Sequence, residues 1–282
     1  MLVDLRLLRY FVVVVEERHI GRAAARLHIT QPPLSRAIQQ LESDLGATLL
    51  DRTPRGVTPT AAGAALAEEA RALFEQVDRI RTRVRAEAGN PTLTIGTLAD
   101  TAELVSNRVV DAFRREHPHV DIAVHEADLS DPTAGLRADL VDVALTRTPF
   151  DETGLRTLDL SSEPVGLVVR ADDPLAGQQA VSVAVLTGRR WIRLPEGTDP
   201  RWAAYWTGQP SQDAPVLRTI QECLQSVLWN GASALAPLGQ PLPSGLAIVP
   251  VDDRAPSRLV VTWRDDRPAA LVQSFVRIAA RA

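Results

Sequence analysis

The chain has 282 residues, 45% of them hydrophobic, and a formal net charge of −4, which suits one large domain or two to three small ones with a sizeable core. Its single cysteine, Cys223, excludes a disulfide framework or a cysteine zinc site and fits a reducing, cytoplasmic setting. No apolar run approaches the roughly 20 residues of a membrane span, and the run Tyr10–Val15 ends at Glu16 and Glu17, too short for a secretion signal.

Every basic residue is Arg. Residues 1–89 carry 13 Arg against 11 acids, and the remainder 18 against 24. A locally basic module inside an acidic chain is compatible with DNA binding. Three short helices come first. Leu5, Leu8, Phe11, Val12 and Val15 mark one apolar face, and Ile20, Ala23, Ala24 and Leu27 a second. Leu34, Ile38, Leu41 and Leu45 recur at steps of four, three and four, a helix stripe. Thr30 stands as its N-cap, and Pro32 and Pro33 are tolerated because first-turn amides have no intrahelical partner. Pro32, Arg36 and Gln39 lie opposite the stripe, as either a solvated face or a contact face. Three helices with a polar, exposed third form the helix-turn-helix arrangement, whose second motif helix enters the major groove. There Arg reads guanine and Gln reads adenine.

Residues 47–63, ATLLDRTPRGVTPTAAG, contain two short extended pieces around a Pro54-Arg55-Gly56 turn. They predict a hairpin wing, with Arg52, Thr53 and Arg55 placed to meet phosphates. Thr58-Pro59 reads as N-cap and first position of a long helix over 59–88. Leu66, Ala70, Leu73, Val77, Ile80 and Val84 form a coiled-coil seam on it, for a dimer or for packing on the parent domain. Gly89-Asn90-Pro91 ends the helix.

Strands and helices then alternate. The expected elements are a strand at 92–98, a helix through Val105, Val109 and Phe113, a strand at 120–126, a helix around Leu136 and Leu140, and a strand at 142–147. SEPVGLVVR and RRWIRLP suggest later strands. A helix at 221–231, a strand at 258–263 and a final helix from Pro268 to Arg281 complete an α/β unit with a mostly parallel sheet. Ligands of such sheets bind beyond the carboxyl ends of strands. That rule selects Leu98, Ala99, Asp100 and Thr101, then Ser130, then Thr146 and Arg147, and farther along Pro195, Glu196 and Gly197; Ile220 and Gln221, which precede a helix body, join them. Asp100 is either a pocket acid, which Arg147 would have to offset for a carboxylate ligand, or a helix N-cap. Trp202, Tyr205 and Trp206, at helical spacing in RWAAYW, either line an aromatic site or pack in the core. Cys223 reads as a small core hydrophobe. His117 and His119 flank a proline, and nearby ligands for a metal are not evident. No GxGxxG, P-loop, GxSxG or HExxH pattern occurs, so neither catalysis nor a cofactor or metal is expected.

The stretch LRLLRYFVVVVEERHIGRAAARLHITQPPLSRAIQQLESDLGATLLDRT resembles the winged helix-turn-helix of LysR-type transcriptional regulators, densely over about 60 residues, and TQPPLSRAIQQLE is the most specific part. The remainder resembles the family's effector-binding domain more loosely. The resemblance implies a winged helix-turn-helix domain at 1–58 and a linker and dimerisation helix at 59–90. It implies a two-lobed, periplasmic-binding-protein-like α/β domain at 91–282, with lobe I at 91–162 and 260–282 and lobe II at 163–259. It places Thr30, Gln31, Pro32, Pro33, Ser35 and Arg36 against DNA, and Arg52 and Arg55 on backbone or minor groove. It implies a homodimer, often paired into a tetramer, that binds double-stranded promoter DNA and a small-molecule effector between the lobes; RNA polymerase is a further candidate partner. His19-Ile20-Gly21 departs from the family's usual Ser plus aromatic. APLGQPLPSG (236–245) is shorter than the family's corresponding region, where a helix is expected to be missing.

Overall fold

The computed structural model describes residues 4–27, 29–53, 56–87, 91–98, 102–208, 214–266 and 269–281. It divides into two compact units, Met1–Arg83 and Val84–Ala282.

In the first unit, α1 (Leu5–Glu17), α2 (Ile20–Arg26) and α3 (Gln31–Leu45) precede a hairpin of β1 (Leu50–Thr53) and β2 (Gly56–Pro59) and the long helix α4 (Ala61–Glu87). The apolar stripes converge: Phe11, Ala23, Leu34, Ile38 and Leu41 are fully enclosed with Leu49 and Val57. Each large side chain buried this way contributes about 1.5–3 kcal/mol. Local caps fix the helix ends. The His19 ring takes the N-cap place of α2, its Nδ1 accepting from Gly21 N at 3.0 Å and Arg22 N at 3.3 Å. Gly46 ends α3 in the left-handed region at φ 66°. The Glu42 carboxylate accepts from Leu49 N at 2.8 Å and Leu50 N at 3.2 Å, tying α3 to the first wing strand.

Two details of this unit differ from expectation. The cap of α4 is Thr60, not Thr58: its hydroxyl accepts from Gly63 N at 3.0 Å. Pro59 instead closes β2 opposite Leu50, an edge position where a missing N–H costs nothing. At the N-terminal end of the expected seam, Ala70 is buried in the core of its own unit and Leu66 packs against it. Leu73, Ile80 and Val84 stay exposed.

The second unit holds two sheets. One has the order β4-β3-β5-β10-β6, made from β3 (Thr92–Leu98), β4 (Asp121–Ala127), β5 (Val143–Arg147), β6 (Leu155–Glu163) and β10 (Ser257–Arg264). Helices α5 (Ala102–Glu116) and α8 (Ala270–Ala279) pack on it through Phe113 and Phe275. The other sheet has the order β8-β7-β9, from β7 (Val165–Arg170), β8 (Ala234–Pro237) and β9 (Leu246–Pro250). It carries α6 (Pro200–Trp206) and α7 (Ile220–Asn230). The chain leaves the first sheet between β6 and β7 and returns between β9 and β10, so each sheet with its helices is one lobe.

The expectation of a mostly parallel sheet is corrected. β3 pairs parallel with β4 and β5, but β10 runs antiparallel to both β5 and β6. In the second lobe both ladders of β7 are antiparallel. The crossover explains this: β6 leads out of the first lobe and β10 leads back in, so neighbours in the sheet must oppose. RRWIRLP contributes isolated bridges at Trp191 and Arg193 rather than a strand. The expected helix around Leu136 and Leu140 is a chain of turns, because Ala134, Gly135 and Asp139 take positive φ, which an α-helix cannot contain. No helix lies between β8 and β9, as the short Pro- and Gly-rich segment predicts. No helix among the described residues is long and apolar enough to cross a membrane.

Replacing Glu42 by Ala leaves two amides without their acceptor and should destabilise the first unit by about 1–3 kcal/mol. Native-state hydrogen exchange at the Leu49 and Leu50 amides reads this directly, and Glu42→Gln, which keeps an acceptor oxygen, should be milder.

Candidate functional site

The exposed face of α3 forms the first site. Gln31, Pro32, Pro33, Arg36 and Gln39 are solvent-exposed and Ser35 half-buried, while Leu34, Ile38 and Leu41 anchor the opposite side. Thr30 occupies the N-cap position, yet its side chain makes no cap hydrogen bond. The reason is chemical. An N-cap oxygen reaches the second and third helical amides, here Pro32 and Pro33, which have none. The helix therefore opens with two fewer unpartnered amides, and the Thr30 hydroxyl is not drawn into its own helix. The cations nearby divide into two kinds. Arg22 and Arg26 are held by Glu16 and Glu17 of α1. Arg36 has no hydrogen bond or ion pair among the described residues. The hairpin pairs Arg52 with Val57 and Thr53 with Gly56; Pro54 and Arg55 between them lie outside the described residues.

The second site is a cavity of about 70 Å³ within the Val84–Ala282 unit, several times the roughly 10–15 Å³ that one water requires. Leu98, Leu129 and Arg147 line it from the first lobe. Ile192, Leu194, Trp202, Trp206, Cys223 and the strand Ala234–Pro237 line it from the second. Trp202 and Trp206 lie one helical turn apart on α6 with ring centroids 5.4 Å apart. Asp199 fixes that helix: Oδ1 caps it through Arg201 N and Trp202 N, at 2.8 and 3.1 Å. Its Oδ2 accepts from Asp151 N of the first lobe at 2.7 Å. A second link joins the lobes at Arg218, whose guanidinium donates to Asp128 at 2.8 Å and whose carbonyl accepts from Leu129 N at 2.7 Å.

Arg147 ends β5 and is the one charged side chain in the lining among the described residues. Its Nη2 donates to Glu163 at 2.9 Å, with the Arg147 side chain 4% exposed and that of Glu163 23%. Glu163 also accepts from Gly239 N at 2.7 Å. Arg147 Nε and Nη1 are buried without a partner, as are Nε1 of Trp202 and of Trp206. Four of the seven such atoms among the described residues thus sit on three residues lining one cavity. Leaving a buried donor unmatched costs about 1–3 kcal/mol, so the clustering points to a site that receives acceptors.

Of the effector-site residues selected from the sequence, Leu98, Arg147 and Ile220 line this cavity. The others do not. Thr146 is buried and donates to Pro132 O at 2.6 Å, bracing the turn segment after β4. Ser130 bonds to Asp128. Pro195 accepts from Thr198 in a turn that leaves Glu196 and Gly197 exposed, and Gln221 faces solvent. Ala99, Asp100 and Thr101 lie outside the described residues. Trp202 and Trp206 are both buried and cavity-lining, so the two readings of RWAAYW coincide there. The strand residues of β8 gave no signal beyond ordinary core composition.

Two reactive-looking groups have structural explanations. Burial pushes the Cys223 thiol up to about 12, far from the thiolate needed for reactivity. His117 bonds to Ser274 at 2.7 Å, but Arg277 also donates to that hydroxyl, and Ser274 is buried between α5 and α8. This cluster clamps two helices and does not poise a nucleophile.

Residues 86–282 match the sequence model of the LysR substrate binding domain, and residues 5–64 that of the bacterial regulatory helix-turn-helix protein, lysR family. The chain is 38% identical over 194 residues to the uncharacterized HTH-type transcriptional regulator YnfL of Escherichia coli, an alignment spanning 67% of this chain and 65% of that one. It is 27% identical to the hydrogen peroxide-inducible genes activator of Dickeya chrysanthemi over 94% of this chain and 90% of the relative. Among solved structures, full-length BenM is similar at 25% identity and a TM-score of 0.54, covering 99% of this chain and 96% of that one. A Corynebacterium glutamicum OxyR C206 mutant matches at 25% identity and 0.52, covering 99% and 91%.

Asp199→Ala should cost about 1–2 kcal/mol through the lost cap and release the Asp151 amide as well. Asp199→Asn, which still caps, should retain most of that stability in denaturant unfolding.

Proposed function

The chain belongs to the LysR family of bacterial helix-turn-helix regulators, and from that premise we propose that it is a cytoplasmic, non-enzymatic transcription factor whose DNA-binding unit answers to a small effector. The observation that carries the reading is the α3 face: exposed Arg36 and Gln39, opposite buried Leu34, Ile38 and Leu41, behind a helix start whose second and third amides are replaced by prolines. Thr30, Gln31, Pro32, Pro33, Ser35, Arg36 and Gln39 then meet the major groove, and Arg52, Thr53 and Arg55 the backbone. We divide the chain functionally into 1–58, 59–90 and 91–282. Leu73, Val77, Ile80 and Val84 form the working part of a homodimer seam. Dimers pair into tetramers, and promoter-bound protein meets RNA polymerase.

The effector occupies the cavity around Arg147, and lobe closure on it shifts the population of promoter-bound states. Peroxide is a second reading, raised by the peroxide-inducible activators among the relatives. The structure of the thiol disfavours it, because the single cysteine is buried and held as the thiol. Native Cys223 should resist iodoacetamide at pH 8, where a thiol near 12 is about one part in ten thousand thiolate, and should react once denatured. Rapid alkylation of the native protein would restore the peroxide reading.

Fluorescence anisotropy of the full chain on DNA from upstream of its own gene, against scrambled DNA over a salt series, tests the DNA assignment. Arg36→Ala should lose about 1–3 kcal/mol on the specific site. Arg55→Ala should weaken all sequences alike and flatten the salt dependence. Unchanged affinity and specificity in Arg36→Ala would remove α3 from the groove.

A further inference from the structure

We infer that the ligand of the Arg147 cavity is a small apolar monocarboxylate whose carboxylate is held by that arginine, an assignment that rests on the effector reading and names the chemistry of its ligand. Three observations lead there. First, the unmatched groups are all donors: Nε and Nη1 of Arg147 and the indole N–H groups of Trp202 and Trp206. Among the described residues the lining contains no Asp or Glu, and the Gln240 amide bonds to none of these four donors, so the acceptors are left for the ligand to bring. Second, the positive end of the Arg147–Glu163 pair faces the cavity. Glu163 is outside the lining, reaches water, and shares its charge with the Gly239 amide, whereas Arg147 is nearly sealed. An ionised acceptor makes a hydrogen bond about twice as strong as a neutral one on such a group. A dianion such as phosphate is disfavoured, because one already-paired cation leaves most of its charge buried without compensation. Third, the walls are otherwise aliphatic, and the tilted faces of Trp202 and Trp206 suit a flat or branched apolar body. Gln240 is the remaining polar side chain in the lining among the described residues.

The test titrates the full chain with benzoate, phenylacetate and hexanoate, each against its own primary amide, by calorimetry and Trp fluorescence. At least one acid should bind saturably and about tenfold or more tightly than its amide. Removing Arg147 also strands Glu163, so the acid-to-amide ratio of the unaltered protein is the primary readout. Arg147→Gln, where it folds, should bring the ratio to about one. Trp206→Phe keeps a ring and deletes one donor, and should weaken the acid about three- to tenfold. Equal binding of acids and amides overturns the monocarboxylate, as does no acid binding below about 10 mM. The effector reading is scored separately on the DNA complex. If the acids bind with the expected ratio yet leave promoter affinity unchanged, the cavity chemistry stands and the effector reading falls.

Discussion

A guanidinium brings five N–H donors in one rigid plane, and at Arg147 that plane is buried where the protein offers it one carboxylate. Much of the effector-binding half is arranged around this mismatch. Glu163, at the point where the chain crosses between sheets, takes one nitrogen and the Gly239 amide together. It thereby fixes the arginine against the second lobe while remaining outside the cavity. The other nitrogens have no hydrogen-bond partner, and the described walls around them are mainly Leu, Ile, Val and Trp. An apolar core built only for stability would not retain such a group, since a hydrophobic substitute of similar volume is often neutral or stabilising. Retaining it makes sense where the missing acceptor arrives from outside.

The DNA-binding half solves the opposite problem. Its short helices expose backbone ends that solvent or side chains must satisfy. At α2 the His19 ring does so. At α3 two prolines remove two of the amides instead, and among the described residues no hydrogen bond or ion pair holds the Thr30 or Arg36 side chain. The neighbouring cations Arg22 and Arg26 on α2 are paired with acids of α1, whereas Arg36 on α3 has no such pair among the described residues. Local chemistry thus separates residues that hold the unit together from residues offered to a partner.

What could be read from the sequence follows from the range of each interaction. The 4-3-4 stripe Leu34-Ile38-Leu41-Leu45 and the turn before Gly56 are local patterns, and the first unit was accordingly legible to within a residue or two. Thr30 was identifiable as a cap position, but whether it would bond depended on what stood two and three residues on. Leu136 and Leu140 have helical spacing, yet Ala134, Gly135 and Asp139 adopt left-handed backbone, which side-chain periodicity does not encode. In the second unit the strand-end rule found Leu98 and Arg147, and the start of a helix pattern found Ile220, because element ends are local features. It missed Trp202, Trp206 and β8, because a residue lining an apolar cavity has the same composition signature as one inside the core. Only the long-range pairing of β7 with β8 and the anchoring of α6 by Asp199 decide which of those apolar faces meets space.

That anchoring also bears on how binding is transmitted. Asp199 caps the helix bearing both indoles and accepts from Asp151 of the other lobe, and Arg218 makes a second bridge to Asp128. These contacts favour approach of the lobes whatever the ligand, so they cannot by themselves make closure ligand-dependent. A ligand moves such an equilibrium only by its differential affinity for the two arrangements. Filling the cavity with an apolar body rewards closure through buried area alone. Matching the Arg147 and indole donors rewards it again, because those donors are hydrated when the lobes part and unmatched when they meet. The charged end of the ligand therefore carries the discrimination between states, and the apolar end mainly carries affinity.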